Sequence, residues 1–283
     1  MSKTVGAMRP IDLTYVESGI HDRLVAHVAD QQDYYAEEGV HVCLRTGCDW
    51  PIDRVRQTAT VGQGRAVLSR IADGIPWTVL SVSTERPVFW LMAQERFLGV
   101  EDLRGYRVGV QPPSTAPGCF CRMVLRKHGL DPDHSIRPVV LTPGDDRRHL
   151  YRLADGSLDT CFVGSTVVPE LVAQRYGLRL LALVGDHFRI PTVGVAVDPT
   201  YLSLDDPAVK ALVRSHRKAL STIHGEPELA AHYVKALLPN LTEEEAVEHY
   251  KRYVATYFTL DGPPRSKGGC SSCSGDRSRT SPL

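Results

Sequence analysis

The side chains able to do chemistry fall into a few small groups. Cys119 and Cys121 stand two residues apart in GCFC. Cys270 and Cys273 form a CxxC pair in a polar C-terminal stretch, and Cys43, Cys48 and Cys161 stand alone. Residues i and i+2 point to different faces of a helix, so Cys119 and Cys121 make a poor two-thiolate metal site if GCFC is helical. A thiol in the first turn of a helix is acidified by the helix end, which makes Cys119 a candidate reactive thiol. Cys48, Cys121, Cys270 and Cys273 complete the candidates for a thiolate site holding a soft metal such as zinc. No motif requires a cofactor. There is no HExxH, no GxSxG and no GxxxxGK[ST], and Gly62-Gln-Gly64 is too short for a dinucleotide fingerprint. The eleven histidines are dispersed, so no nucleophile–base–acid set can be assigned and catalysis is left undecided.

A second group consists of hydroxyl, glycine and aromatic residues at junctions between apolar runs. In the first half these are Tyr15 and Glu17, Thr46 and Trp50, Gly62 and Gly64, and Ser83 and Thr84. In the second half they are Ser114 and Thr115, then Gly164, Ser165 and Thr166, with Arg189 just before a returning apolar run. Ligands of α/β proteins sit near strand ends and helix starts. Ser114, Thr115 and Ser165, with neighbouring backbone N–H groups, suit a carboxylate, sulfonate or phosphate. Arg189 adds a bidentate partner, and Trp50 and Tyr15 offer flat faces to a ring. The set predicts a small, polar, anionic ligand with room for an aromatic or heterocyclic group. Helix capping alone accounts for Ser, Thr and Gly at such junctions equally well.

These junctions need elements to carry them. The stretch 101–130 predicts a strand over 106–110 and a helix over 116–128, capped by Ser114 or Thr115 and stopped by Gly129. Before it, RPIDLTY reads as a strand, 18–38 as a long helix and VHVCL as a second strand, which is a βαβ unit with parallel pairing. Residues 50–60 read as a helix, and 77–83 and 87–92 as strands. After 130, strands over 136–141, 158–163 and 178–184 alternate with helices over 145–154 and 169–176. A strand over 192–197 is followed by helices over 205–223, 226–237 and 242–257. Thr242 and Glu245 form a capping box for the last of these. The pattern is α/β: two consecutive blocks, each a parallel-rich sheet flanked by helices, closed by a C-terminal helical cluster. The expected division is a discontinuous first lobe over 9–92 and 190–260, a second lobe over 93–189, and a disordered Cys-containing tail over 261–283.

Composition bounds the partners. Thirty-three basic residues balance thirty-three acidic ones in 283, and no basic stripe stands out, so no nucleic-acid partner is expected. No apolar run is long enough to cross a membrane. The N-terminus lacks the apolar core of a signal peptide, which predicts a cytoplasmic location as written, or a periplasmic or extracellular one if a leader was removed. Seven scattered cysteines are not a disulfide framework. Monomer and dimer both fit.

RPIDLTYVESG followed by YYAEEGVHVCL resembles the opening of type II periplasmic solute-binding proteins, of the branch serving sulfonate, nitrate, taurine and thiamine-pyrimidine precursors. VEDLRGYRVGV is similar to the family's strand entering the second lobe. LADGSLDTCFVGSTVVPELVAQRYGLRLLAL resembles the segment that offers a glycine-rich loop to ligand. The resemblance covers about residues 9–260. It implies two lobes closing on a small molecule and, for an exported member, an ABC permease as partner. The same family includes a cytosolic pyrimidine synthase, and related folds include decarboxylases and dehydratases, so an enzyme acting on a heterocyclic or aromatic acid is the alternative. A thiol-dependent metal-handling or sensor protein is a third. GCFC is similar to the synthase's cysteine-rich run but has fewer cysteines. That synthase uses a lysine-bound pyridoxal phosphate, and residues 9–92, the N-terminal part of the first lobe, hold no lysine.

Overall fold

The protein is described by a computed structural model over residues 9–15, 19–47, 49–62, 74–113, 115–142, 146–165, 168–260 and 262. The elements in the first half are β1 (Arg9–Tyr15), α1 (Ile20–Gln31), α2 (Tyr34–Glu37), β2 (Val40–Thr46), α3 (Ile52–Val55), β3 (Ala59–Val61) and β4 (Thr78–Val79). They are followed by β5 (Trp90–Gln94), β6 (Arg107–Val110), α4 (Ala116–Lys127), β7 (Arg137–Val140), α5 (Asp146–Ala154), β8 (Thr160–Val163), α6 (Pro169–Tyr176), β9 (Leu178–Leu183) and α7 (Val184–His187). The chain ends with β10 (Ala196–Val197), α8 (Pro207–Gly225), α9 (Pro227–Leu237), α10 (Glu243–His249), a π-helical segment (Tyr250–Val254) and α11 (Ala255–Tyr257).

Two five-stranded sheets result, ordered β2-β1-β3-β10-β4 and β7-β6-β8-β5-β9. Both are mixed. Strands β1, β2 and β3 run parallel, as do β6, β7 and β8, while β10 and β5 pair antiparallel with their neighbours. The inner strands β3, β6 and β8 are buried almost throughout, as a sheet centre covered on both faces requires, whereas the edge strands β2 and β7 are largely exposed. Strand β5 shows the period of two directly. Trp90 and Met92 enter the core under α5, and Leu91 and Ala93 enter the core under α4. Because Trp90–Gln94 pairs with β8 and β9, the chain enters the second sheet before Trp90 rather than after Met92.

Several elements depart from expectation for local reasons. The helix predicted over 18–38 breaks at Asp33, whose φ of 57° is left-handed, and splits into α1 and α2. Residues 50–60 are helical only over Ile52–Val55. Ala59–Val61 is instead a central strand, and all three of its residues are buried. The helix over 116–127 matches. Thr115 caps it by accepting from the Gly118 N–H at 3.2 Å, and Gly129, at φ 72°, stops it. Of the predicted tail, 261 and 263–283 lie outside the described residues. The Gly262 carbonyl accepts from the Val82 N–H at 3.1 Å.

The C-terminal helix joins the two cores. Tyr250, Val254 and Phe258 belong to the core over the first sheet, and Tyr253 and Tyr257 to that of the second. The π-turns re-space these positions, a device found at functional sites. Each large buried side chain contributes about 1.5–3 kcal/mol.

Candidate functional site

Parallel strands of one sheet end at the same edge, so β1, β2 and β3 deliver Tyr15, Thr46 and Gly62 to one rim, and β6 and β8 deliver Gln111 and Gly164–Ser165 to another. The two rims meet. Ser165 lies against the start of α1: its carbonyl accepts from the Ile20 N–H at 3.4 Å, and a Cβ on Gly19 would fall 2.4 Å from its Oγ. Only glycine allows that approach. Gly19 leaves the start of α1 without a side-chain cap; the Ile20 N–H goes to Ser165 across the seam, and the Asp22 N–H donates to the Gly19 carbonyl at 3.1 Å. Asp22 follows in the first turn and is buried.

Behind this seam stands a pair of buried imidazoles. His21 and His249 stack with ring centroids 5.6 Å apart, His21 packs on Phe258, and His249 packs on Tyr253. Neither ring nitrogen of either histidine has a hydrogen-bond partner among the described residues. Burial, and then the neighbouring His249, hold His21 well below the usual imidazole range, and burial lowers His249 to about 4. Both rings are neutral at physiological pH.

Three passes of the chain run side by side between the sheets. The Ser83 and Thr84 N–H groups donate to the Val193 carbonyl at 2.7 and 3.2 Å. Thr192 N–H donates to Thr84 O at 3.1 Å, and Thr259 N–H to Ser83 O at 2.8 Å. Thr84 and Thr192 share a hydroxyl hydrogen bond at 3.1 Å, and Arg189 pairs with Glu85 at 3.0 Å. Ser83, Thr84 and Arg189 therefore come together at the crossing between sheets. Two further links tie the C-terminal helix to the second sheet. Tyr257 Oη donates to Asp186 at 2.5 Å, and Tyr253 Oη donates to Glu170.

The other predicted site residues are placed as follows. Tyr15 packs into the first core, with burial raising its phenol. Thr46 and Trp50 line a pocket of about 670 Å³ with Asp12, Arg45, Arg54 and Thr58, drawn from the first sheet's side alone. Gly47 makes the turn into it, since a Cβ there would strike Thr14 and crowd the Trp50 ring. The Arg54 guanidinium lies 3.7 Å over that ring and occupies one of its faces, and Arg45 pairs with Asp12 at 2.8 Å. Thr115 commits its hydroxyl to the helix cap and to the Pro112 carbonyl at 2.7 Å. Gly62 has φ 86° and ends β3. Glu17, Cys48, Gly64, Ser114, Thr166, Cys270 and Cys273 lie outside the described residues. Cys119 is exposed, whereas Cys121 is sealed in the second core, where burial pushes its thiol up to about 12. The two thiols of GCFC face different surroundings. Among the described residues no three His, Cys, Asp or Glu side chains converge to hold a metal. No described helix is long and apolar enough to cross a membrane. Sequence reasoning missed Gly19 and His21, although SGIHD at a helix start carried the signal of a glycine N-cap.

This arrangement, two mixed sheets meeting at the ends of their parallel strands, has counterparts. Residues 23–230 match the family described as NMT1/THI5 like. The chain belongs to the NMT1/THI5-like family. Its fold is shared with solved structures at low identity. The periplasmic aliphatic sulphonate binding protein SsuA of Escherichia coli is 15% identical with a TM-score of 0.67, covering 86% of this chain and 82% of that one. The desulfurization enzyme DSZB is 16% identical with a TM-score of 0.67, covering 89% and 86%. A zinc-bound ligand-binding component of an ABC-type import system from Staphylococcus aureus is 10% identical with a TM-score of 0.65, covering 90% and 86%. No curated protein matches the sequence. For this family member, the likenesses establish the two-lobed α/β fold.

Proposed function

We propose that the chain binds a small, polar, anionic metabolite between its two lobes and closes on it by hinge motion. The lobes are 9–86 with 190–260, and 87–189. The observation that carries this reading is the seam itself: an uncapped helix start on one rim meets Gly164–Ser165 on the other, with Gly19 shaped for the contact. The positive end of the α1 dipole, with no side chain capping it, favours negative charge at this rim. The paired segments at Ser83–Glu85 and Arg189–Val193 are the hinge, where a few backbone dihedrals absorb lobe rotation. Sulphonate-binding and nitrate-binding proteins of the same fold support an oxyanion as the ligand's recognised group. An ABC permease is the partner if the chain is exported, with a periplasmic or extracellular location; no permease is needed if it is cytoplasmic.

A second reading, an enzyme acting on a heterocyclic or aromatic acid, draws on His21. Its imidazole lies in the first turn of the seam helix without a hydrogen bond among the described residues, and DSZB is an enzyme of this fold; because His21 is buried behind the seam, this reading requires lobe opening to bring it within reach of substrate. Calorimetric titration of the full chain with methanesulfonate, taurine, nitrate and an aminopyrimidine phosphate separates the two. The binding reading expects saturable one-to-one heat for one class, with the compound recovered unchanged. No binding across the panel overturns it, and chemically altered compound favours the enzyme.

A further inference from the structure

The edge of the second sheet opposite the seam carries a pocket of about 480 Å³ lined by Arg96, Arg104, Tyr106, Arg107, Arg137 and Asp159. Parallel register sets Arg107 beside Arg137 at the starts of β6 and β7. Antiparallel β5 ends at the same edge and brings in Arg96. Four guanidinium groups against one carboxylate leave a local charge of +3, in a chain whose formal net charge is zero. That carboxylate has no capacity left. Asp159, 3% exposed, accepts from Arg96 at 2.5 Å, from Arg107 Nε at 2.9 Å, from an Arg107 terminal nitrogen at 3.0 Å and from the Arg107 backbone N–H at 2.8 Å. Four donors fill the four lone-pair positions of a carboxylate.

The donors are not exhausted. Arg104 is held by Ser135 Oγ at 3.2 Å and the Gly129 carbonyl at 3.3 Å, contacts that fix its fork without neutralising it. Arg137 has no ion-pair partner among the described residues. Tyr106, 43% exposed, adds a phenol on the rim, and its ring packs edge-on against Phe97 at 4.9 Å. Side-by-side like charges destabilise a sheet edge unless something neutralises them. A concave site with surplus, pre-positioned guanidinium forks matches an anion that takes several bidentate bonds at once.

We propose that this basal pocket is a second ligand site, distinct from the seam, that binds a small polyvalent oxyanion of the phosphate class, such as a pyrophosphate group. Buried Asp159 is its positioning residue: it locks Arg96 and Arg107 in place and leaves their outer N–H groups for the anion. Inorganic pyrophosphate titrated into the full chain at low salt, followed by calorimetry and ³¹P NMR, tests this. One-to-one binding is expected, weakened roughly tenfold or more in Arg137→Ala and in Arg104→Ala. Arg137→Ala touches no described hydrogen bond, so its circular dichroism melt is expected to stay unchanged. Absence of pyrophosphate binding overturns the proposal. Pyrophosphate affinity unchanged from the parent chain in both variants overturns it as well, and so does an acidic peptide binding where pyrophosphate does not. Methanesulfonate binding at the seam is expected to be unaffected by either variant, so failure here is separable from failure of the seam reading.

Discussion

Replacing Gly19 with alanine probes the seam between the lobes. The new Cβ would lie 2.4 Å from Ser165 Oγ and 2.9 Å from Asp22 Oδ2. Ordinary contact begins near about 3.5 Å, so the overlap with Ser165 is about 1 Å. Overpacking of this kind costs about 1–3 kcal/mol. Gly19 has φ −61° and ψ 148°, which alanine adopts without strain, so the unfolded-chain gain of about 0.4–1 kcal/mol partly offsets it. The net expectation is a loss of up to about 2.5 kcal/mol, centred near about 1 kcal/mol and read as a lower midpoint in urea unfolding. The double variant Gly19→Ala/Ser165→Ala decides the cause. Removing Oγ leaves Ser165 Cβ at 3.7 Å from the new methyl, an ordinary contact, so most of the loss to Ser165 is expected to return. Strictly additive effects of the two changes would refute the reasoning, because groups that do not touch do not couple.

Three further perturbations follow from the same packing. His21 and His249 are buried neutral, and the folded value of His249, about 4, lies below the ordinary imidazole range, so below about pH 6.5 the unfolded state binds more protons. Stability is therefore fully present above that pH and lost as pH falls toward 4, and His249→Phe is expected to flatten the urea midpoint across this window. Asp159→Ala orphans the Arg107 backbone N–H, an expected loss of about 1–3 kcal/mol in urea unfolding. Burial raises the Asp159 carboxyl, but its bonds to Arg107 and Arg96 outweigh that and leave it below the usual range. Its contribution is thus present above the ordinary carboxylate pKa and fades as pH falls through the folded value. Iodoacetamide is expected to label Cys119 in the folded protein while Cys121 and Cys161 react only on unfolding, as peptide mapping checks.

The fold was legible where each element carried its own punctuation. Thr115 and Gly129 bracket a helix that forms between them, and GCFC falls on two faces as its spacing required. Strand Ala59–Val61 was not legible: three residues are too few to show a period, and Ile52 and Val55 before it extend a helical reading. The antiparallel run of β5 was hidden too, since an apolar strand does not state its direction. At the site, Ser83, Thr84 and Arg189 were found as junction residues but meet at the crossing between sheets. Tyr15 went to the core because its side of β1 faces α1. The His21–His249 pair joins residues far apart in the chain. The basal arginines, at 96, 104, 107 and 137, form no run in sequence; the sheet gathers them.

Native mass spectrometry of the freshly purified full chain tests the central claim most directly. A ligand gripped between two lobes is expected to appear as a single one-to-one adduct that is lost on denaturation, and a Gly19→Trp variant, which wedges the seam, is expected to lack it. An adduct kept undiminished in that variant would contradict the account, as would a protein that stays at its bare mass with the whole oxyanion panel supplied.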